Sequence, residues 1–382
     1  MTEAAASVPP DESVERVSTL ELFFDLVFVF TITQLSTLLA RESSATGVLQ
    51  AVLMLAVIWW MYDGYAWLTN AVPPNRASRR ALLLGAMAAF LVLALAIPGA
   101  FRGSGLTFGL AYLVVVLVHT ALFSRSSSAT VTQAVFGIAR FNLLAALLVL
   151  AGGIAGGSAK YVLWAVAVVF EWITPRLIDD EGFEVGAAHF VERHGLVVII
   201  ALGESVVAVG IGATGLPIDL ELVAVAVLGL LLSACLWWTY FGSGDAERAE
   251  RALVAAPARR RPRLAVDGFG FWHMPILFGV IAVAATLRET IGHASVELSS
   301  ARALFLGGGA ALFMLGDVLF RRTLGIGRGA WRGAAAGLAL ATVPLGTEVS
   351  AWTQLAALVL LLGGVLVAEA AVERPYLSGR SG

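Results

Sequence analysis

Cysteine, lysine and charge are all scarce in this chain of 382 residues. The single cysteine, Cys235, lies inside an apolar block, which excludes an intrachain disulfide and any cysteine-based metal site. Charged residues make up only 14% of the chain against 59% hydrophobic residues, too little polar surface for a soluble protein of this size. A formal net charge of −2 offers no basic footprint, so nucleic acid is not expected as a partner. No glycine-rich phosphate loop follows a strand pattern and no Gly-x-Ser-x-Gly elbow occurs; neither enzyme activity nor a cofactor is expected. Residues 1–18 are polar and mildly acidic without a basic n-region, so the first apolar block is expected to stay as an anchor rather than be cleaved. Lysine occurs once, as Lys160, and arginine takes its place elsewhere, in keeping with a GC-rich bacterial genome.

What the chain does contain is apolar sequence in blocks of about 20 residues, the length that crosses a hydrocarbon core. Twelve can be drawn, at about 20–40, 47–69, 80–98, 104–123, 131–151, 160–177, 194–213, 219–242, 268–287, 301–320, 331–346 and 351–370. The expected fold is all-α: a polytopic protein of the inner-membrane lipid bilayer. With the N-terminus placed in the cytoplasm, nineteen arginines fall in inside segments and five basic residues in outside loops. The inside set includes Arg193 between spans 6 and 7, and Arg321, Arg322, Arg328 and Arg332 between spans 10 and 11. This bias places both termini in the cytoplasm and calls for an even number of spans.

The two halves of the chain resemble each other. Trp59-Trp60-Met61-Tyr62-Asp63-Gly64 matches Trp237-Trp238-Thr239-Tyr240-Phe241-Gly242 at an offset of 178. Leu26–Phe30 resembles Leu196–Ile200 at offset 170, and His119 and Glu171 align with Asp317 and Glu369 at offset 198. The later jump is what the longer basic loop 243–264 would add. The expected organisation is a tail over 1–18, one six-helix repeat over 19–182, a second over 183–372, and a tail over 373–382. Six spans per repeat give both halves one orientation, an arrangement common in transporters and channels.

An ionisable residue at the centre of a membrane helix costs about 2.5–3.5 kcal/mol, so those inside the blocks mark sites or packing partners. Glu21 and Asp25, at i and i+4, share one face of the first span. With the topology above, Asp63, His119, Glu171, His194, His273, Asp317 and Glu369 fall at a similar, cytoplasmic depth. Arg140 and Glu204 lie nearer the midplane, which makes Arg140 the expected charge partner for one or two carboxylates. Glu21 is expected at the headgroup rim and Asp25 one turn deeper, as the first interior charge. Acids outnumber the one deep arginine, which favours a cation or proton over an anion. His189, Glu192 and His194 read H-x-x-E-x-H, one residue away from a zinc-hydrolase pattern. On a helix those side chains diverge, so no metal site is expected.

Glu21–Ser36 (ELFFDLVFVFTITQLS) and Phe190–Gly210 (FVERHGLVVIIALGESVVAVG) are the segments most specific to a family. On them, and on the Trp-Trp-x-Tyr of span 2, the chain resembles the bacterial low temperature requirement protein A family from about Ser18 to Ala371. The resemblance implies a multi-pass inner-membrane protein linked by name to growth in the cold. Its motif positions here are Glu21, Phe24, Asp25, Glu192, His194, Gly203, Glu204 and Ser205. A fainter similarity, confined to the first helix, is to potassium channels with a Phe-Ser-Asp motif. Glu21, Phe23, Asp25, Val27, Phe28, Ile32 and Thr33 match it, whereas Phe24 replaces the serine and Gly195 stands where Asp25 would repeat.

The first reading of function is a cation- or proton-coupled secondary transporter of a small ion or small-molecule substrate. Asp25 and Glu204 would be its leading ion sites and Arg140 the balancing charge, with Glu21, Asp63, His194, Glu171 and Asp317 as further candidates. A second is a cation channel, with Phe28 and Ile32 as a candidate hydrophobic constriction and a homodimer bringing two first helices together. A third is a membrane scaffold or cold-response factor whose polar residues only hold helices together.

Overall fold

A computed structural model describes residues 17–125, 129–177, 185–327 and 329–378. These residues fold into helices and connecting turns, without a strand among them. The first six long helices are α1 (Thr19–Arg41), α2 (Ala45–Ala71), α3 (Ala77–Ala96), α4 (Gly105–Phe123), α5 (Ala129–Ala155) and α6 (Gly157–Leu177). Next come α7 (Ala187–Gly212), α8 (Leu220–Phe241), and two short helices, α9 (Asp245–Ala255) and α10 (Arg261–Ala265). A π-helical turn, Val266–Phe271, then leads into α11 (His273–Thr290). The chain continues through α12 (Ser300–Leu324), α13 (Ala330–Ala341), α14 (Val343–Glu348) and α15 (Ala351–Ser378). Among the described residues ten helical stretches are long and apolar enough to cross a membrane. The chain is a polytopic membrane protein, and its surroundings are a lipid bilayer.

Two of the twelve expected blocks fall outside those ten. Helix α6 has the length of a span at 21 residues but carries Lys160, Glu171 and Arg176. The block expected at 331–346 is broken at Thr342 into α13 and α14, with Pro344 in the first turn of α14. A proline is accepted there because its missing N–H has no partner in a first turn.

Helix ends follow local chemistry. Ser18 and Glu21 form a reciprocal capping box: Glu21 N–H donates to Ser18 Oγ at 3.4 Å, and Ser18 N–H donates to Glu21 Oε2 at 2.8 Å. Asp219 caps α8 through Leu222 N–H at 2.8 Å. Helix α9 is amphipathic and buries Asp245, Ala249 and Leu253, positions at i, i+4 and i+8.

The helices pair in the same scheme in both halves. In the first, α1 packs on α2 and α3, α2 on α4 and α6, α3 on α4, α4 on α5, and α5 on α6. In the second, α7 packs on α8 and α11, α8 on α12 and α15, α11 on α12, α12 on α13 and α14, and these on α15. The second half adds a contact of α12 with α15, and the halves meet where α1 and α2 touch α7 and α11. One close backbone approach inside the second half is α11 against α12. A Cβ on Gly279 would lie 2.5 Å from Gly309 O, and one on Gly309 would lie 2.7 Å from Gly279 O. Gly279→Ala is therefore expected to overpack this crossing by about 1–3 kcal/mol. Thermal unfolding in detergent would show a lower midpoint, whereas Gly203→Ala, with open space at its Cβ, should change it little.

Helices α1 and α7 run parallel in a constant register. Glu21 meets His189, Asp25 meets Arg193 and Ser36 meets Glu204, each pair 168 residues apart. Eleven residues separate Asp25 from Ser36 and Arg193 from Glu204, close to three full turns, so each helix shows its polar partners on one stripe. The two polar levels lie about 16 Å apart along the axis.

Candidate functional site

The deeper of the two sequence-expected acids, Asp25, is fully buried, and so is Glu21 one turn before it. Glu21 is enclosed by protein: its Oε2 is held by Ser18 and its Oε1 lies 2.9 Å from His189 Nε2. Between the two acids stands Arg193. Its Nη2 donates to Asp25 Oδ1 at 3.0 Å, and its Nη1 faces Glu21 Oε1 at 3.9 Å. The guanidinium also lies 5.7 Å from the ring centre of Tyr62 and 5.9 Å from that of Phe24. Tyr62 donates its hydroxyl to the same Asp25 Oδ1 at 2.6 Å. Asp25 Oδ2 has no hydrogen-bond partner among the described residues, nor do Arg193 Nε and Nη1. Burying polar atoms in this state is costly.

Next to this group, His194 Nε2 lies 3.0 Å from Asp63 Oδ1. The ring of His194 is 5.3 Å from that of His273, whose Nε2 lies 2.7 Å from the Tyr240 hydroxyl. Trp59 sits against both imidazoles and donates its indole N–H to Gly270 O at 2.6 Å. Gly270 belongs to the π-helical turn, and a Cβ there would come within 3.3 Å of Asp63 Oδ2. π-turns of this kind recur at functional sites because they displace backbone and side chains from helical register. The inner cluster thus joins α1, α2 and α7 with the start of α11, where the two halves meet.

A second cluster lies within the second half. Arg332 donates to Asp317 at 2.7 Å, to both oxygens of Glu369 at 3.0 and 3.1 Å, to Thr239 O at 2.8 Å and to Ser243 Oγ at 3.0 Å. Asp245 is held by Arg321 at 2.5 Å and Arg248 at 2.7 Å, with Arg332 3.4 Å away. Three arginines face three carboxylates, so this group is balanced and ties α8, α9, α12, α13 and α15 together. Asp317 belongs here and makes no hydrogen bond or ion pair with the inner cluster among the described residues.

Glu204 lies at the other polar level of the α1–α7 seam. It accepts from Thr33 Oγ1 at 2.5 Å and from Ser36 Oγ at 2.8 Å. Half-buried Arg288, at the end of α11, donates to Thr37 Oγ1 at 2.8 Å on the same stretch of α1. Glu171 is fully buried in α6, takes a hydrogen bond from Tyr112, and has a second oxygen with no partner among the described residues. His119 lies in α4 with Nε2 3.0 Å from Gly64 O.

Three expectations need correcting. Arg140 is exposed on α5, its guanidinium 5.0 Å from the Phe141 ring centre, with no carboxylate partner among the described residues. Its expected role belongs to Arg193 and Arg332, which are expected in inside segments and are instead buried. Phe28 and Ile32 are fully buried packing residues, with Phe28 4.1 Å from Tyr62 ring to ring, and they line no open passage here. Arg193 carried a readable signal: His189 and Arg193 on α7 have the same i, i+4 spacing as Glu21 and Asp25 on α1. Starting span 7 at residue 194 hid it. His189 and His194 turn to different carboxylates on different helices, as their spacing predicts. The role of Asp245 had no such signal, because only the fold of α9 brings it to Arg321.

The residues gathered at the seam are also those of the family-like segments: Glu21, Phe24, Asp25, His194 and Glu204. A curated relative, the uncharacterized protein RA0937 of Rhizobium meliloti (strain 1021), is 29% identical over 326 residues, covering 80% of this chain and 77% of that one. No solved structure matches. The bacterial low temperature requirement A protein (LtrA) family matches residues 16–367, nearly the whole chain, and the chain belongs to that family.

Proposed function

We propose that this protein is a cation- or proton-coupled secondary transporter of the bacterial inner membrane, built from two six-span repeats with both termini in the cytoplasm. The observation that carries this reading is the α1–α7 seam. It holds buried acids at two levels about 16 Å apart, separated by apolar packing of Phe28, Ile32, Val197 and Val198. Glu21 and Asp25 face one arginine, and Asp63 faces one histidine, so the inner level is short of positive charge. A cation or proton relieves that shortage, and releasing it restores the repulsion. The common pairing scheme of the two halves supports a repeat, and a seam between repeats is where alternating access places its ion sites. The channel reading loses its support in the buried Phe28 and Ile32. The chain is not proposed to be an enzyme.

The test is uptake into liposomes holding the purified protein, under imposed pH, sodium or potassium gradients, across a broad panel of small solutes. Gradient-driven accumulation of at least one solute, lowered tenfold or more in Asp25→Asn, is the expected result. No accumulation under any gradient, with folded protein in the vesicles, would refute the reading.

A further inference from the structure

We propose that the coupled cation is a proton, shared between Asp63 and His194, and that metal ions are refused at the inner cluster. This rests on the transporter reading above for its use, but the site is defined by hydrogen-bond roles alone.

His189 and His194 have their roles fixed by their partners. The Asn70 amide is oriented by Gly186, whose N–H donates to Asn70 Oδ1 at 3.1 Å and whose carbonyl accepts from Nδ2 at 3.3 Å. Asn70 Nδ2 therefore faces His189 Nδ1, 3.4 Å away, as a donor. His189 must accept there and carry its one hydrogen on Nε2, toward Glu21. His194 is arranged the other way round. Its Nδ1 lies 2.9 Å from Phe190 O, which can only accept, so Nδ1 carries a hydrogen. A hydrogen must also lie between Nε2 and Asp63 Oδ1, on one atom or the other. The pair holds one proton beyond those of a carboxylate and a neutral imidazole. A neutral His273 that donates from Nδ1 toward Gly268 O at 3.3 Å and accepts from the Tyr240 hydroxyl at Nε2 fits both of its contacts.

The charge count follows. Glu21 and Asp25 bring two negative charges, Arg193 one positive, and the Asp63–His194 pair none, which leaves the cluster at −1. The groups facing the pair are Asp25 from α1, Tyr62 from α2 and His273 from α11, with Arg193, Glu21 and His189 joined to Asp25 on one side and Tyr240 to His273 on the other. Asp267, on the π-helical turn, goes instead to Arg176 and Arg263. Of the carboxylate oxygens only Asp25 Oδ2 and Asp63 Oδ2 lack a hydrogen bond among the described residues. A hard metal ion takes six or more oxygens and would sit beside the Arg193 guanidinium. A proton needs one.

The experiment uses the full chain labelled with ¹⁵N-histidine, in lipid nanodiscs, titrated with pH in choline chloride and then in sodium chloride. His119 and His189 are expected as Nε2–H forms and His273 as an Nδ1–H form. His194 should keep its Nδ1 hydrogen throughout, with only its Nε2 signal shifting on titration. That shift should vanish in Asp63→Asn, and exchange of choline for sodium at fixed pH should move none of these signals. A bare Nδ1 on His194, or movement of its signals by sodium at fixed pH, would overturn the proposal; both are read on the unaltered chain, so a misfolded variant cannot hide them. Sodium-driven uptake at clamped pH would overturn it too and leave the transporter reading standing. Absence of all uptake would do the reverse.

Discussion

Arg193→Met is expected to cost the folded state about 3–5 kcal/mol, the usual effect of removing one partner from a buried ion pair. Methionine fills much of the same space, so the loss is one of charge rather than volume. Without the guanidinium, Asp25 keeps only the Tyr62 hydroxyl and Glu21 keeps Ser18 and His189. Neither acid can reach water, because both are buried. Folded yield in detergent should fall sharply and the unfolding midpoint should drop. Adding Asp25→Asn to this variant should recover part of the loss, although the same change alone is unfavourable, and this non-additivity is the mark of a direct pair. A normal midpoint in Arg193→Met would mean that the acids are neutralised in some other way.

Arg332→Met should be at least as damaging and should show itself elsewhere. It releases Asp317 and Glu369, removes one of the cations near Asp245, and leaves Thr239 O without its donor. Arg321 and Arg248 still hold Asp245, so α9 is loosened rather than freed. Besides a lower midpoint, faster cleavage by trypsin at exposed Arg251, Arg259 and Arg260 is expected, since protection there depends on docking of α9. Arg193→Met should accelerate that cleavage less, because it leaves Arg321, Arg248 and Arg332 on Asp245 and disturbs α9 only through its packing on α7. Asp317→Asn in the Arg332→Met background should restore part of the midpoint.

Composition and block length carried most of the fold. Ten spans and their order were legible, because hydropathy acts on the sequence directly, and so were Glu21, Asp25, Asp63, His194 and His273 as ionisable residues inside apolar blocks. The broken span at Thr342 was not, since a proline in a helix's first turn looks like any other helix start. The site was half legible. Acids stand out in apolar blocks, whereas Arg193 and Arg332 lie at helix ends, where basic residues ordinarily mark the inside face. Only the tertiary packing of α7 against α1, and of α13 against α12 and α15, turns them inward. Arg140, the one arginine deep in a block, is exposed because the face of α5 that bears it is not covered.

The central claim is that the α1–α7 seam moves a cation rather than only joining two halves. Asp25→Asn and Glu204→Gln, each reconstituted in liposomes, separate these when gradient-driven uptake and the unfolding midpoint are measured on the same preparations. The account predicts at least a tenfold loss of uptake in both variants, with midpoints close to that of the unaltered protein in at least one. Uptake that falls only in step with the midpoint in both would contradict it and leave the seam a structural joint.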